Sequence, residues 1–250
     1  PSKKEEKMIA YLKAFGEKHN LETKVDEAGN VLIKKPATPG KENLKTVILQ
    51  SHVDMVCEKN NDTDHDFLTD PIETEIDGEW MKAKGTTLGA DNGIGVATEL
   101  AILADDSIEH GPIECLFTVD EETGLTGAFA LKEGFMSGEI LLNLDSEDEG
   151  ELYIGCAGGI DTVAEFQYEN EMTPISHLCF RITVKGLKGG HSGGDIHLGR
   201  GNANKILNRF LSKMIAKYDL YLCEINGGNL RNAIPREAVS YTHLTLPTIL

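Results

Sequence analysis

Three short apolar runs in this sequence each end at polar residues of the types that bind metals. The runs cover residues 47–49, 113–119 and 140–142. His52 follows the first run, the pair Glu121 and Glu122 follows the second, and Asp145 follows the third. Short apolar runs bounded by polar residues are typical of strands buried in a sheet. If these strands run parallel, their carboxyl ends bring one histidine and several carboxylates to one edge of the sheet.

Helical patterns lie between the predicted strands. Residues 3–19 and 92–104 carry apolar side chains at helical spacing, and Asp-Gly at residues 77–78 indicates a hairpin turn. Strands that alternate with helices favour an α/β sandwich with a largely parallel sheet. We therefore predict that residues 1–159 form an α/β domain whose site lies beyond the carboxyl ends of its strands.

The pattern changes after about residue 160. Residues 160–166, 178–184 and 220–225 have the composition of strands, and residues 202–217 have the apolar spacing of a helix. This β-β-α-β order predicts a small second domain, over residues 160–239, with an antiparallel sheet covered by a helix.

Composition excludes several classes of partner. The 250 residues carry a formal net charge of −17, which repels nucleic acid and anionic membranes. No apolar stretch approaches the length of a membrane span. The five cysteines include no Cys-x-x-Cys pair, which favours reduced thiols and a cytoplasmic protein over a disulfide framework or a thiolate zinc site.

The polar clusters have the chemistry of a two-metal hydrolytic site. One imidazole and several carboxylates suit hard or borderline divalent metals. In the pair Glu121 and Glu122, one side chain could bind metal while the other takes a proton from water. Asp54, two residues after His52, can accept the second N–H of the imidazole. The alternative interpretation is a set of solvated loop carboxylates, the usual environment of Asp and Glu.

The same clusters resemble the co-catalytic zinc aminopeptidase, dipeptidase and aminoacylase superfamily. The shared motifs are His-x-Asp, Gly-Ala-Asp-Asn-Gly, Glu-Glu-x-Gly and Asp-Ser-Glu. Longer strings look like the aminoacyl-histidine dipeptidase family in particular, and the resemblance covers residues 1–239. These strings lie at residues 49–56 (LQSHVDMV), 85–95 (GTTLGADNGIG), 154–161 (IGCAGGID) and 186–197 (GLKGGHSGGDIH).

The resemblance implies a pair of zinc ions in each intact subunit. It implies that His52 and Asp145 bind one ion, that Glu122 binds the other, and that Asp91 bridges the two, with a cis peptide bond between Asp91 and Asn92. The ligand types by themselves also allow manganese or cobalt.

Further roles are implied for residues around the metals. Glu121 corresponds to the general base, and Asp54 orients His52. In the second domain, His191 and Asn232 match substrate-binding residues of the family. The implied fold is a zinc-peptidase-like α/β sandwich with an inserted α+β lid domain, through which the intact protein forms a homodimer.

We therefore expect metal-dependent hydrolysis of dipeptides, with Xaa-His dipeptides such as carnosine as substrates. A tripeptidase or an N-acyl-amino-acid deacylase of the same superfamily is the nearest alternative. A non-catalytic metal-binding protein is the alternative from another class. The presence of Glu121, which as a base would have no structural task, argues against it.

The chain departs from the resembled family at its ends. Family members are longer, so we expect only the N-terminal part of the catalytic domain and a truncated lid domain. The last histidine ligand of the second metal is then absent, and we expect this fragment to be weakly active or inactive. Residues 240–250 (SYTHLTLPTIL) do not fit the family, and we interpret them as a non-native tail.

Overall fold

The computed structural model of the chain describes residues 1–60, 62–146, 148–156, 158, 160, 162–191, 193–228 and 233–244. The chain divides into two units, Pro1–Gly158 and Gly159–Leu250. The domain limits predicted from the sequence, and the non-native origin of residues 240–250, stay predictions. Among the described residues, no helix is both long enough and apolar enough to cross a membrane.

The first unit contains seven strands and four helices among its described residues. The strands are β1 (Glu22–Val25), β2 (Val31–Lys35), β3 (Val47–His52), β4 (Thr74–Asp77), β5 (Trp80–Ala83), β6 (Ile113–Thr118) and β7 (Ile140–Asn143). The helices are α1 (Glu6–Lys18), α2 (Ala90–Ala104), α3 (Glu121–Gly124) and α4 (Thr126–Ala130). The three strands predicted before the polar clusters are therefore confirmed as β3, β6 and β7, and the predicted hairpin is β4 and β5.

Five strands form the main sheet, in the order β1-β2-β6-β3-β7. The pairs β6–β3 and β3–β7 are parallel, whereas β1–β2 and β2–β6 are antiparallel. The predicted parallel arrangement thus holds only for the three strands that carry the polar clusters. The chain between β1 and β2 is a tight turn in which Gly29 has φ 103°, and so short a connection can join only antiparallel strands.

The sheet is packed on both faces. One face buries a cluster with α1 and α2 against it: Leu12, Val31, Ile33, Leu49, Val96, Leu103, Cys115 and Phe117. On the other face, Leu32, Ile48 and Leu116 are buried against the segment that contains Leu131 and Phe135. Alternating residues of β2 and β6 therefore serve opposite faces, as the two-residue period of a strand requires. This layering confirms the α/β sandwich.

A buried lysine fixes the far end of α2. Lys35 on β2 is 8% exposed, and its Nζ donates hydrogen bonds to the main-chain oxygens of Ile102 (3.0 Å) and Asp105 (2.6 Å). A cation near these carbonyl groups interacts favourably with the negative end of the helix dipole and stabilises the helix. The contact anchors the helix whose first turn carries Asp91.

The described residues of the second unit form an antiparallel sheet covered by one long helix. Its strands are β8 (Leu178–Val184), β9 (Tyr221–Gly227) and β10 (Ala238–Leu244), in the order β8-β10-β9, and its long helix is α5 (Ala203–Tyr218). A short 3-10 helix covers Ile196–Leu198. Ala203, Leu207 and Leu211 of α5 are buried with Leu220 and Ala238.

Two features of this unit differ from the sequence expectation. The prediction of a strand at residues 160–166 is wrong. Ile160 and residues 162–166 belong to no strand, and the side chains of Val163 and Phe166 are exposed. An apolar run becomes a strand only where a neighbour takes its N–H and C=O groups. The central strand is instead β10, which includes part of the segment interpreted as a tail.

Glu114 provides a test of how the sheet is held together. It lies on β6 with 2% exposure, pairs with Lys34 Nζ at 2.7 Å, and accepts hydrogen bonds from the main-chain N–H groups of Ser137 (2.8 Å) and Gly138 (3.1 Å). Burial opposes ionisation, but Lys34 and Ser137 outweigh it and lower the pKa of Glu114 to about 2 from 4.5.

We predict that Glu114→Gln lowers the free energy of unfolding by about 1–3 kcal/mol at neutral pH. A depressed carboxyl pKa stabilises the fold above the unfolded value, and this stability is lost as the pH falls. The difference from wild type should therefore shrink between about pH 4.5 and 2 in urea denaturation curves.

The matched control is Glu139→Gln, because Glu139 pairs with Lys45 at 2.9 Å while both side chains are more than half exposed. That variant should change stability by less than about 1 kcal/mol. Equal losses in the two variants would contradict the assignment of Glu114 as a buried anchor.

Candidate metal centre and active site

The structure brings the predicted ligands together at one edge of the sheet. His52 is the last residue of β3, Glu121 and Glu122 open α3 just after β6, and Asp145 lies two residues after β7. Because β3, β6 and β7 are parallel, their carboxyl ends meet at this edge. Asp91 reaches the same point from the first turn of α2.

His52 is the central residue of this cluster and is 1% exposed. Its Nε2 lies 2.9 Å from Asp91 Oδ1 and 3.6 Å from Asp145 Oδ1. Its Nδ1 lies 3.3 Å from Asp54 Oδ1 and 3.0 Å from the main-chain oxygen of Asp54. Burial opposes protonation of the imidazole, but contacts with Asp145, Asp54 and Asp91 outweigh it and raise the pKa of His52 to about 12.

Among the described residues, two groups of side chains at this edge could hold a metal ion. His52 with Asp91 and Asp145 forms the first, and His52 with Glu121 and Glu122 forms the second; within each group the ligand atoms lie within 4.8 Å of one another. The first group matches the ligands expected for one ion. In the second group, both glutamates lie close enough to His52 to be ligands. The distances alone therefore do not distinguish the predicted ligand, Glu122, from the predicted base, Glu121.

Negative charge is concentrated around the glutamate pair. Burial, followed by repulsion from Asp91 and Glu121, raises the pKa of Glu122 to about 7. Burial and the charges of Asp145, Asp54 and Asp91 also raise the pKa of Glu121. One imidazole cannot neutralise so many carboxylates, and a divalent cation would favour their charged forms. The donor set and its charge therefore fit a metal site.

Asp54 connects the two halves of the cluster. Besides contacting His52, its Oδ1 accepts the main-chain N–H of Glu121 (3.0 Å) and its Oδ2 accepts that of Glu122 (3.2 Å) and the hydroxyl of Ser2 (2.7 Å). Burial would raise the pKa of Asp54, but His52, Ser2 and these N–H groups lower it to about 2. The sequence predicted only the contact with His52, because Glu121 lies 67 residues away.

Asn92 is a site residue that the sequence analysis missed. It is 3% exposed, and its Nδ2 donates a hydrogen bond to Asp145 Oδ1 at 2.7 Å. The Asp91–Asn92 peptide bond is cis, as the resemblance implied. The adjacent Gly95 allows this packing, since a Cβ there would lie 1.9 Å from Asn92 Oδ1 and 3.0 Å from Ser51 Cβ.

A buried carboxyl supports the strand that ends in His52. Glu99 of α2 is fully buried, and its Oε2 accepts a hydrogen bond from Ser51 Oγ at 3.1 Å. Burial raises the pKa of Glu99 to about 9, so it is neutral near pH 7. The sequence analysis did not select Glu99, because an acidic residue in a helix is usually exposed to solvent.

The predicted substrate residues belong to the second unit. His191 is exposed and forms an isolated bridge with Ala233. Asn232 lies outside the described residues. Their roles therefore stay predictions.

A pair of glycine substitutions tests the role of Asn92. We predict that Gly95→Ala displaces Asn92 and Ser51, because the added Cβ has no room, and weakens metal affinity by about 10- to 100-fold. Gly93→Ala is the control in the same helix turn, since nothing lies within 4 Å of its added Cβ. Calorimetric titration with Zn²⁺ or Mn²⁺ measures both; equal affinities for the two variants would refute the prediction.

Metal binding should also appear as thermal stabilisation. At a free metal concentration 100 times the dissociation constant, stability should rise by about 2.7 kcal/mol. Asp91→Asn and Asp145→Asn should abolish most of this gain, whereas Asp106→Asn, at a side chain 98% exposed, should retain it. An unchanged melting temperature in the wild-type chain with either metal would contradict the site.

Comparison with known proteins agrees with this geometry. Residues 48–197 match the family model of peptidase family M20/M25/M40, and residues 182–246 match that of the peptidase dimerisation domain. The cytosol non-specific dipeptidase of Escherichia coli (strain K12) is 55% identical over 238 residues, covering 95% of this chain and 49% of that protein.

Solved structures show the same relationship. Aminoacylhistidine dipeptidase from Vibrio alginolyticus is 54% identical, with a TM-score of 0.63, over 98% of this chain and 50% of that one. Aminopeptidase PepT from Bacillus cereus shares the fold at 21% identity and a TM-score of 0.52, over 99% of this chain and 63% of that one. The chain spans about half the length of the curated relative and of the first structure. It belongs to peptidase family M20/M25/M40 and combines residues of that family's α/β catalytic domain with its dimerisation domain.

Proposed function

We propose that the protein to which this chain belongs hydrolyses dipeptides in a metal-dependent reaction. The observation that supports this most is the convergence on His52 of two carboxylate pairs, with all ligand atoms of each group within 4.8 Å. Family membership and the dipeptidase names of two relatives more than 50% identical support the same reaction.

In this proposal, His52 and Asp145 would hold one ion, Glu122 would hold the other, and Asp91 would be a ligand of both. Zinc is the proposed metal, and the same ligands would accept manganese or cobalt. When bound, such ions polarise a carbonyl group and lower the pKa of water. Asp54 keeps His52 oriented through Nδ1, and Asn92 keeps Asp145 oriented through its hydrogen bond of 2.7 Å.

Glu121 is the proposed general base. It accepts the proton of the attacking water and delivers it to the leaving amine. Its main-chain N–H is held by Asp54 at 3.0 Å, which fixes the start of α3. Burial and neighbouring carboxylates raise its pKa, and a base with a raised pKa accepts a proton more readily.

We propose a broad dipeptide range that includes Xaa-His dipeptides such as carnosine. The names of the two relatives support this, since one is called non-specific and the other aminoacylhistidine dipeptidase. His191 and Asn232 are the proposed substrate-binding residues in the second unit. The reaction product would be two free amino acids.

Assembly and location are proposed on the same basis. Residues 182–246 match a peptidase dimerisation domain, which supports a homodimer. The name of the Escherichia coli relative supports a cytoplasmic location. The expectation that these 250 residues alone are weakly active or inactive stays a prediction.

Replacing the proposed base distinguishes the enzyme hypothesis from the hypothesis of a non-catalytic metal-binding protein. We predict that Glu121→Gln lowers kcat for carnosine and Gly-Gly by at least about 100-fold while metal stoichiometry is kept. Glu122→Gln should instead reduce the metal content, because it removes a ligand. Activity is measured on this chain and on a chimera in which it replaces the matched segment of the Escherichia coli relative.

Glu139→Gln is the control, since its side chain is exposed and it pairs only with an exposed lysine in the described structure. It should leave kcat and metal content unchanged. A chimera that binds metal and hydrolyses neither dipeptide would refute the proposed function. Full activity of Glu121→Gln would refute the assignment of the base.

A further inference from the structure

We propose that Asp195 and Arg200 are positioning residues that hold His191 as a neutral imidazole with its proton on Nε2. In this state His191 can offer a hydrogen bond to a carbonyl or carboxylate oxygen of a peptide. The peptide as ligand rests on the proposed function, whereas the protonation state of the ring rests on the contacts of the second unit alone.

The first step is the environment of Nδ1. The main-chain N–H groups of Gly193 and Gly194 both donate to His191 Nδ1, at 3.1 and 2.9 Å. An amide N–H can only donate, so Nδ1 must provide its lone pair. A neutral ring with Nδ1 as acceptor carries its proton on Nε2.

The second step is what keeps the ring in this loop. Asp195 Oδ2 accepts the main-chain N–H of His191 at 2.9 Å and also pairs with Arg200 Nη1 at 2.8 Å. The same Nη1 donates to the main-chain oxygen of Gly189 at 2.8 Å. The side chains of Arg200 and Asp195 are only 19% and 29% exposed, so the pair is screened less than a surface pair. One oxygen therefore connects the histidine backbone to a partly buried arginine.

The third step is the close packing of the loop. A Cβ on Gly190 would lie 2.2 Å from Arg200 Nη1 and 2.4 Å from Asp195 Oδ2, and Gly190 has φ 142°. Its oxygen also accepts the main-chain N–H of Ile234 at 2.7 Å. Glycine is thus required here for close approach of the ion pair. This packing therefore accounts for glycine at position 190.

The chemical consequence concerns which role His191 can have. With the Nδ1 lone pair used and Nε2 protonated, the ring has no free lone pair and cannot act as a base. The side chain is exposed, so its Nε2–H can reach a ligand. A donor of this kind favours an oxygen on which negative charge develops. Asp195 and Arg200 act on this donor only through the loop.

Nitrogen-15 NMR of the 250-residue chain with labelled histidine tests the ring state without any turnover. His191→Gln identifies the His191 signals. We expect the two-bond correlations to show the Nε2–H tautomer in wild type and a tautomer mixture in Asp195→Asn and Arg200→Met. Arg209→Met, at an exposed arginine of α5, is the control and should match wild type. Arg200→Lys should keep more of the Nε2–H form than Arg200→Met.

Two NMR outcomes would overturn the proposal. One is the Nδ1–H tautomer in wild type, and the other is an unchanged tautomer in both Asp195→Asn and Arg200→Met. Circular dichroism checks that each variant is folded, and if Arg200→Met is not, Arg200→Lys and Asp195→Asn decide the question.

Kinetics of the chimera test the role in the reaction. His191→Gln should lower kcat/KM for carnosine by about 100-fold. Asp195→Asn and Arg200→Met should lower it by about 10-fold, mainly through kcat, because they misplace the donor without removing it. Wild-type rates in both variants would overturn the positioning role. An inactive wild-type chimera with the expected NMR result would refute the proposed function and leave the ring assignment supported.

Discussion

The parallel alignment of β6, β3 and β7 is the constraint on which the candidate site depends. It places the carboxyl ends of three strands side by side, so that His52, the glutamate pair and Asp145 meet although they are far apart in sequence. Contacts at other points of the unit preserve this alignment. Glu114 ties β6 to the chain that leads into β7, and Lys35 fixes the end of α2. Neither residue touches the site, yet each holds an element that carries part of it.

The site concentrates charge in a way that stability alone would not favour. Several carboxylates surround one buried imidazole, and the pKa values of Glu121 and Glu122 are raised as a result. Such an arrangement lowers the stability of the metal-free fold and is typical of positions selected for binding or catalysis. Asp54 offsets part of this loss of stability by accepting hydrogen bonds from two main-chain N–H groups at the start of α3. The same contacts fix the direction in which both glutamates leave the backbone.

The second unit uses a different physical device. Its histidine is exposed, and orientation comes from the loop that surrounds it. Two main-chain N–H groups engage one ring nitrogen, and an ion pair between Asp195 and Arg200 holds the loop. The candidate metal centre surrounds its imidazole with carboxylates, whereas this loop surrounds its imidazole with amide donors.

The sequence by itself determined the strands that lead into the site, the chemical types of its ligands and the family. Those properties are encoded locally, in apolar runs and in short motifs whose spacing survives without the fold. Tertiary structure alone decided that Asp54 holds Glu121 and Glu122, that Asn92 holds Asp145, and that Ser51 contacts a neutral Glu99. It also decided that residues 162–166 form no strand and that β10 lies at the centre of its sheet. Each of these depends on partners tens of residues away, and a local pattern can show that a group needs a partner but cannot show which group provides it.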